Sequence, residues 1–186
     1  DLDGFIIDTA KFHFLAWQKM VKLISLNLIP KDDEYLRGVG RMQCVDVLLK
    51  KAGIEKSEEE KKKLADYKNN EYLKYIDTIT PKDLLQGAID FLVDLNNNNI
   101  LIALGSASKN AGIVLEKTGI SKYFKVIIDG NMVSVPKPNP DVFLAGAKGL
   151  NVNPSNCLVF EDAPSGVIAA KRGNMYCVGI GEKEVL

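Results

Sequence analysis

Histidine and tryptophan occur once each in this sequence, and cysteine three times. Cys44, Cys157 and Cys177 are scattered, with no CxxC pair, which argues against a disulfide scaffold and against a thiolate zinc site. Such usage fits a reducing compartment, so a cytoplasmic location is expected. Neither sign of charge is in excess: 24 Lys and Arg balance 24 Asp and Glu. That balance argues against a nucleic-acid surface or a polybasic membrane patch. No apolar run approaches the roughly 18 residues of a membrane span, so no membrane partner is expected. The opening Asp1-Leu2-Asp3-Gly4 has neither the basic start nor the apolar stretch of a secretory signal. What remains is ordinary globular material. The 186 residues are 46% hydrophobic and 26% charged, enough to bury a core without staples.

Two regions differ in pattern. From about residue 10 to 83 the chain reads as helix after helix. Residues 11–28 carry Phe12, Leu15, Trp17, Met20, Val21, Ile24 and Leu28 near helical spacing. Residues 42–52 repeat the pattern, with Gly53 as a stop. Residues 57–76 open on Ser57 and Glu60, a capping-box signal, and their EEEKKK run reads as a solvated face. The remainder alternates. Helices are expected over 87–97, 110–118, 139–149 and 165–173, and strands over 100–105, 123–129, 157–160 and 175–180. Near-continuous apolar strands between helices indicate a parallel sheet covered on both faces. The expected class is therefore α/β, with a Rossmann-like parallel-sheet core (1–9 and 84–186) and an inserted α-helical cap (10–83).

Ligands of open parallel sheets bind at the carboxyl ends of the strands. Four polar clusters follow expected strands: Asp1-Leu2-Asp3-Gly4 with Asp8-Thr9, Ser106 to Asn110, Pro136-Lys137-Pro138, and Phe160-Glu161-Asp162. The carboxylates suit Mg2+, a hard cation that takes oxygen ligands and accompanies phosphate. Ser106 and Lys137 suit phosphate oxygens, and the turn after the 100–105 strand opens a helix whose amides favour anions. An Asp can carry an aspartyl-phosphate, and a second carboxylate two residues on can shuttle a proton.

Asp1-Leu2-Asp3-Gly4 with Thr9, then Ser106, Lys137 and Glu161-Asp162, resembles the four-motif pattern of the haloacid dehalogenase superfamily over the whole chain. Adding His13 with Trp17, Leu36-Arg37-Gly38-Val39-Gly40-Arg41 and Ser108-Lys109-Asn110, the sequence is similar to its β-phosphoglucomutase family. That resemblance implies interconversion of β-glucose 1-phosphate and glucose 6-phosphate through β-glucose 1,6-bisphosphate, with a cytoplasmic monomer acting on a small sugar phosphate. It implies Asp1 as phosphorylated nucleophile, Asp3 as general acid/base, and Ser106 and Lys137 on the transferring phosphoryl group. It places Mg2+ among Asp1, the Asp3 carbonyl, Glu161 and Asp162. Gly38, Val39 and Arg41, with Ser108, Lys109 and Asn110, are then the sugar-bisphosphate residues. Thr9 and His13 lie near the hinge and influence Asp3. Two departures stand out. Arg37 replaces a usual Lys and Gly40 a usual Ser; Ala163 follows the acidic pair where a Ser is common.

Plainer readings compete. Asp3 is also a good turn residue before Gly4, His13 a satisfied histidine in an apolar helix, and Arg41 an exposed first-turn residue. Lys137 can be a surface lysine. Lys68 joins the substrate-binding set if it faces the site; a solvated role is its default among so many cap lysines. Trp17 reads as helix core and the cysteines as small buried residues. The functional competitor is a small sugar-phosphate phosphatase with the same machinery, and a binding protein on this fold is a more distant one. The strand expected before Asp1 and the helix expected after residue 180 are not in the sequence, so the chain is expected to be a clipped form.

Overall fold

The computed structural model describes residues 1–181. The helical region comes first. Helix α1 spans Ala10–Val21 and gives way to a 3-10 turn, Lys22–Ile24, with Ser25 left-handed at φ 54°. The helix thus ends earlier than its apolar spacing suggests. Ile24 and Leu28 are buried all the same, so the spacing recorded burial beyond the last helical turn. Helix α2, Arg41–Ala52, stops at Gly53 as expected. Helix α3, Glu58–Ile76, starts with the capping box: the Glu60 amide donates to Ser57 Oγ at 3.3 Å, and the Ser57 amide to Glu60 Oε2 at 2.9 Å. Trp17, Met20 and Val21 of α1 pack with Val45, Leu48 and Leu49 of α2 and Leu64 and Ala65 of α3. At about 1.5–3 kcal/mol per buried large side chain, that cluster favours the three-helix assembly strongly.

The alternating region follows. Helices α4 (Ala88–Asn97), α5 (Ala111–Thr118), α6 (Asp141–Leu150) and α7 (Pro164–Arg172) interleave with strands β1 (Ala103–Gly105), β2 (Val126–Ile128), β3 (Leu158–Glu161) and β4 (Tyr176–Gly179). Both strand ladders are parallel. Ala103 lies against Val126 in the β1–β2 pair, and Leu158 against Tyr176 in the β3–β4 pair. Among the described residues no strand ladder joins the two pairs. The segment at Asp1 lies beside β3, its backbone nitrogen donating to the Phe160 carbonyl at 2.8 Å. The 100–105 strand is shorter than expected. Ile100 and Leu101 stay half exposed, at 52% and 51%, because β1 has a strand neighbour on one edge only among the described residues.

Helices and sheet are not separate bodies. Tyr72 and Ile76 of α3 and Ala16 of α1 share a buried cluster with Leu2, Ile7, Leu104, Ala111 and Leu115. Ile7 bridges Leu84 antiparallel, so the chain leaves for the helices and returns from them side by side. No helix among the described residues is long and apolar enough to cross a membrane.

Candidate active site

The parallel direction of the strands brings their polar ends to one edge. Ser106 directly follows β1, and Glu161 ends β3 with Asp162 next. The Asp1 segment sits beside them. One carboxylate oxygen each from Asp1, Glu161 and Asp162 lies within 4.8 Å of the others. Lys137, fully buried, reaches into this group. Its Nζ stands 3.2 Å from Asp1 Oδ1 and donates to Glu161 Oε1 and Oε2 at 3.4 and 3.3 Å. The ammonium also lies 4.8 Å above the Phe143 ring. Three carboxylates face one ammonium, so negative charge remains. Burial pushes the Asp162 carboxyl up. Asp1 Oδ1 is buried and makes no hydrogen bond, the Lys137 contact lacking hydrogen-bond geometry. An orphaned carboxylate oxygen within a hard-oxygen set fits a small divalent cation such as Mg2+.

Asp3 is held separately. Thr9 Oγ1 donates to its Oδ1, and Ser106 Oγ lies 3.4 Å from its Oδ2. Burial is the main reason its pKa is raised, against the Thr9 bond and the Lys137 and Lys68 charges. Above Asp3 comes a relay from the helices. His13 Nε2 stands 3.8 Å from Asp3 Oδ1, and Lys68 Nζ lies 2.7 Å from His13 Nδ1. A neutral ring accepting at Nδ1 carries its hydrogen on Nε2, toward Asp3. Burial, then the Lys68 and Arg41 charges, holds the His13 pKa well below its ordinary value, which agrees with that state.

A cavity of about 660 Å³ separates the two halves. Asp1, Asp3, Lys137, Asp162, Ser108 and Lys109 line it from the sheet side; His13, Arg37, Gly38, Val39, Arg41 and Lys68 line it from the helices. Thr9, Ser106 and Glu161 lie fully buried behind that lining. Asn110 is outside it. Its amide donates to Asn69 Oδ1 of α3 at 2.8 Å, tying sheet to helices.

Two plain readings are corrected. Lys68 is not a solvated lysine: it is 2% exposed, between the Trp17 and Tyr72 rings at 4.8 Å from each. Desolvation, with the Arg41 charge second, brings its pKa down to about 7. The cysteines divide. Cys44 is buried, whereas Cys157 and Cys177 are only partly so, lying just before β3 and on β4. The EEEKKK run is a largely exposed helix face as expected, with Lys63 pairing to Glu59, and its Glu58 and Lys62 also line the cavity. Sequence reasoning gave Trp17 to the core alone, although it also lines the cavity, and missed Tyr72, whose ring stacks 4.0 Å from His13. Helical spacing carried both signals: Trp17 follows His13 by four residues and Tyr72 follows Lys68 by four.

Compared with known families, residues 1–180 match the haloacid dehalogenase-like hydrolases. The chain belongs to that family. Among its relatives, the beta-phosphoglucomutase of Bacillus subtilis (strain 168) is 39% identical over 184 residues, 98% of this chain and 81% of that protein. The crystal structure of a beta-phosphoglucomutase from Clostridium difficile matches with a TM-score of 0.94 and 45% identity, covering 99% of this chain and 83% of that one. The fructose-1-phosphate phosphatase of Escherichia coli (strain K12) is 26% identical over 182 residues, 97% of this chain and 93% of that protein. The expected α/β class of this family, with parallel strands and a helical cap, holds for the chain.

Proposed function

We propose that the chain is a β-phosphoglucomutase, interconverting β-glucose 1-phosphate and glucose 6-phosphate through β-glucose 1,6-bisphosphate. The observation that carries this reading is the two-sided cavity, with Lys109 and Lys137 beside Asp1 and Asp3 on the sheet side and Arg37 and Arg41 across from them. A substrate with a phosphate at each end meets positive charge at both. The near full-length likeness to two beta-phosphoglucomutases supports it, while the phosphatase relative is more distant. We take residues 10–83 as cap and 1–9 with 84–186 as core, and the enzyme as a cytoplasmic monomer acting on a small sugar phosphate.

In this mechanism the 6-hydroxyl of glucose 1-phosphate attacks phosphorus on phospho-Asp1. Its proton passes to Asp3, the bond from Asp1 to phosphorus breaks, and the bisphosphate forms. After the sugar reorients, Asp1 Oδ attacks the phosphorus at C1. The C1 oxygen takes the proton back from Asp3, and glucose 6-phosphate leaves. The raised pKa of Asp3 suits a group that must hold that proton between steps. His13, kept neutral and backed by Lys68, orients Asp3. Ser106 and Lys137 hold the transferring phosphoryl group; Gly38, Val39, Arg37, Arg41 and Lys68, with Ser108 and Lys109, take the sugar and the distal phosphate, while Asn110, expected among them, lies outside the cavity and bonds Asn69. Asp1, Glu161 and Asp162, with the Asp3 carbonyl, would hold Mg2+, which supplies charge neutralisation between carboxylates and phosphate. A closed cap keeps water from phospho-Asp1.

Phosphorus NMR with β-glucose 1-phosphate, Mg2+ and a trace of bisphosphate tests the reading. Glucose 6-phosphate should accumulate at the expense of substrate. Stoichiometric free phosphate without glucose 6-phosphate would establish the phosphatase alternative in its place.

A further inference from the structure

The cap also meets the core closely through residues 37–40, the loop that leads into α2. On one side of that loop, Ser165 Oγ donates to the Arg37 carbonyl at 3.2 Å. On the same side, a Cβ at Gly38 would stand 2.5 Å from Ser165 Oγ and 3.1 Å from the Ala163 Cβ, and Gly38 has φ +67°. On the other side, a Cβ at Gly40 would stand 2.9 Å from Pro136 Cγ. The loop is therefore wedged between the segment carrying Lys137 and the first turn of α7. Ser165 lies three residues beyond Asp162, in a helix begun by Pro164. A bond from Ser165 to the cap thus ties the cap to the turn that carries the acidic pair. Arg37 Nε donates to Asp33 Oδ2 at 2.7 Å, which steadies the loop within the cap itself.

We propose that Ser165 is a positioning residue that latches the closed cap. Its hydroxyl donates to the Arg37 carbonyl only when Gly38 is seated against α7, and this seating sets Arg41 over the cavity. Three side-chain features make the fit possible: a hydroxyl at 165, a bare methyl at 163 and hydrogen alone at 38. Gly40 adds the matching close approach on the Pro136 side. Ser165 touches no reacting atom. Its effect is on how long the phosphoenzyme stays sealed from water, and so on how phosphoryl groups divide between sugar and solvent.

This rests on the mutase reading, so the wild-type enzyme is measured alongside. Ser165→Ala and Ser165→Thr are compared for KM, kcat and the ratio of free phosphate to glucose 6-phosphate. For Ser165→Ala we expect the KM for β-glucose 1-phosphate and the free-phosphate ratio to rise roughly 3- to 10-fold, the scale of one neutral hydrogen bond. Phosphorylation of Asp1 by acetyl phosphate, which needs no cap contact, should proceed at the wild-type rate. Ser165→Thr, which keeps the hydroxyl, should restore both quantities to near wild type. An Ala variant with wild-type partitioning overturns the latch, as does a Thr variant that behaves like Ala. A wild-type enzyme that releases only free phosphate instead removes the mutase reading beneath it.

Discussion

At the scale of single residues, two buried ionisable groups do what their sequence neighbours would not suggest. Asp3 is pressed toward its protonated form by burial. Asp3→Asn should lower sugar-phosphate turnover by about 10²- to 10⁴-fold, the usual range for a lost acid/base, in coupled glucose 6-phosphate assays. Asp1 phosphorylation by acetyl phosphate, with its good leaving group, should survive the change. Lys68 has the opposite displacement, from 10.5 to about 7, for the same reason of burial. Between those values the unfolded chain binds a proton that the folded chain does not. Stability contributed through Lys68 therefore rises as pH increases across that window and falls as pH drops toward 7. Urea midpoints at several pH values, wild type against Lys68→Met, isolate the effect. The wild-type curve should climb relative to the variant from pH 7 to 9; parallel curves would refute it.

At the scale of elements, the cap helices show which sequence signals are local. The Ser57–Glu60 box is closed by both reciprocal bonds in the structure. Ser57→Ala should cost about 0.5–2 kcal/mol in chemical denaturation, with turnover little changed, because α3 begins far along its length from Lys68 and Tyr72. Helix α1 teaches the converse. Ile24 and Leu28 are buried but follow the helix end, so an apolar stripe marks what faces the core and not where hydrogen bonding stops. Strand β1 is the same lesson for sheets: five apolar residues before Gly105 were legible, but a ladder forms only where a neighbouring strand lies alongside.

For the whole molecule, the decisive feature is the cluster shared between cap and core, in which Tyr72 and Ile76 pack with Leu2 and Leu104. The single tryptophan, Trp17, sits in the cap and so reports on it alone. Its fluorescence and far-UV circular dichroism should unfold with coincident midpoints in urea. Ile76→Ala should lower both together, by about 2–5 kcal/mol; separate transitions would show that the shared cluster does not couple the two parts. Mg2+ acts on the same global scale. At about 100 times its dissociation constant it should add about 2.7 kcal/mol of stability, by mass action on the folded state. Asp162→Asn should remove most of that gain in thermal unfolding, and chelation should abolish turnover while leaving the helices intact.

The four polar clusters, their order and the helical insertion were all readable along the chain, because each depends on neighbours close in sequence: strand followed by turn, cap residue followed by helix. Family likeness extended that reading to Asp1, Asp3, Ser106, Lys137 and the acidic pair. Other facts depend on residues far apart in sequence. Lys68 lies 55 positions from His13, Ser165 lies 128 from Arg37, and Lys137 lies 24 from Glu161. No periodicity distinguishes Lys68 from the other cap lysines, since helical spacing places a side chain on a face without saying what covers that face. Only the folding of α3 against α1 and the sheet buried Lys68, lowered its pKa and aimed it through His13 at Asp3. Local chemistry thus announced the candidate groups, and long-range packing decided their burial, their charge and their partners.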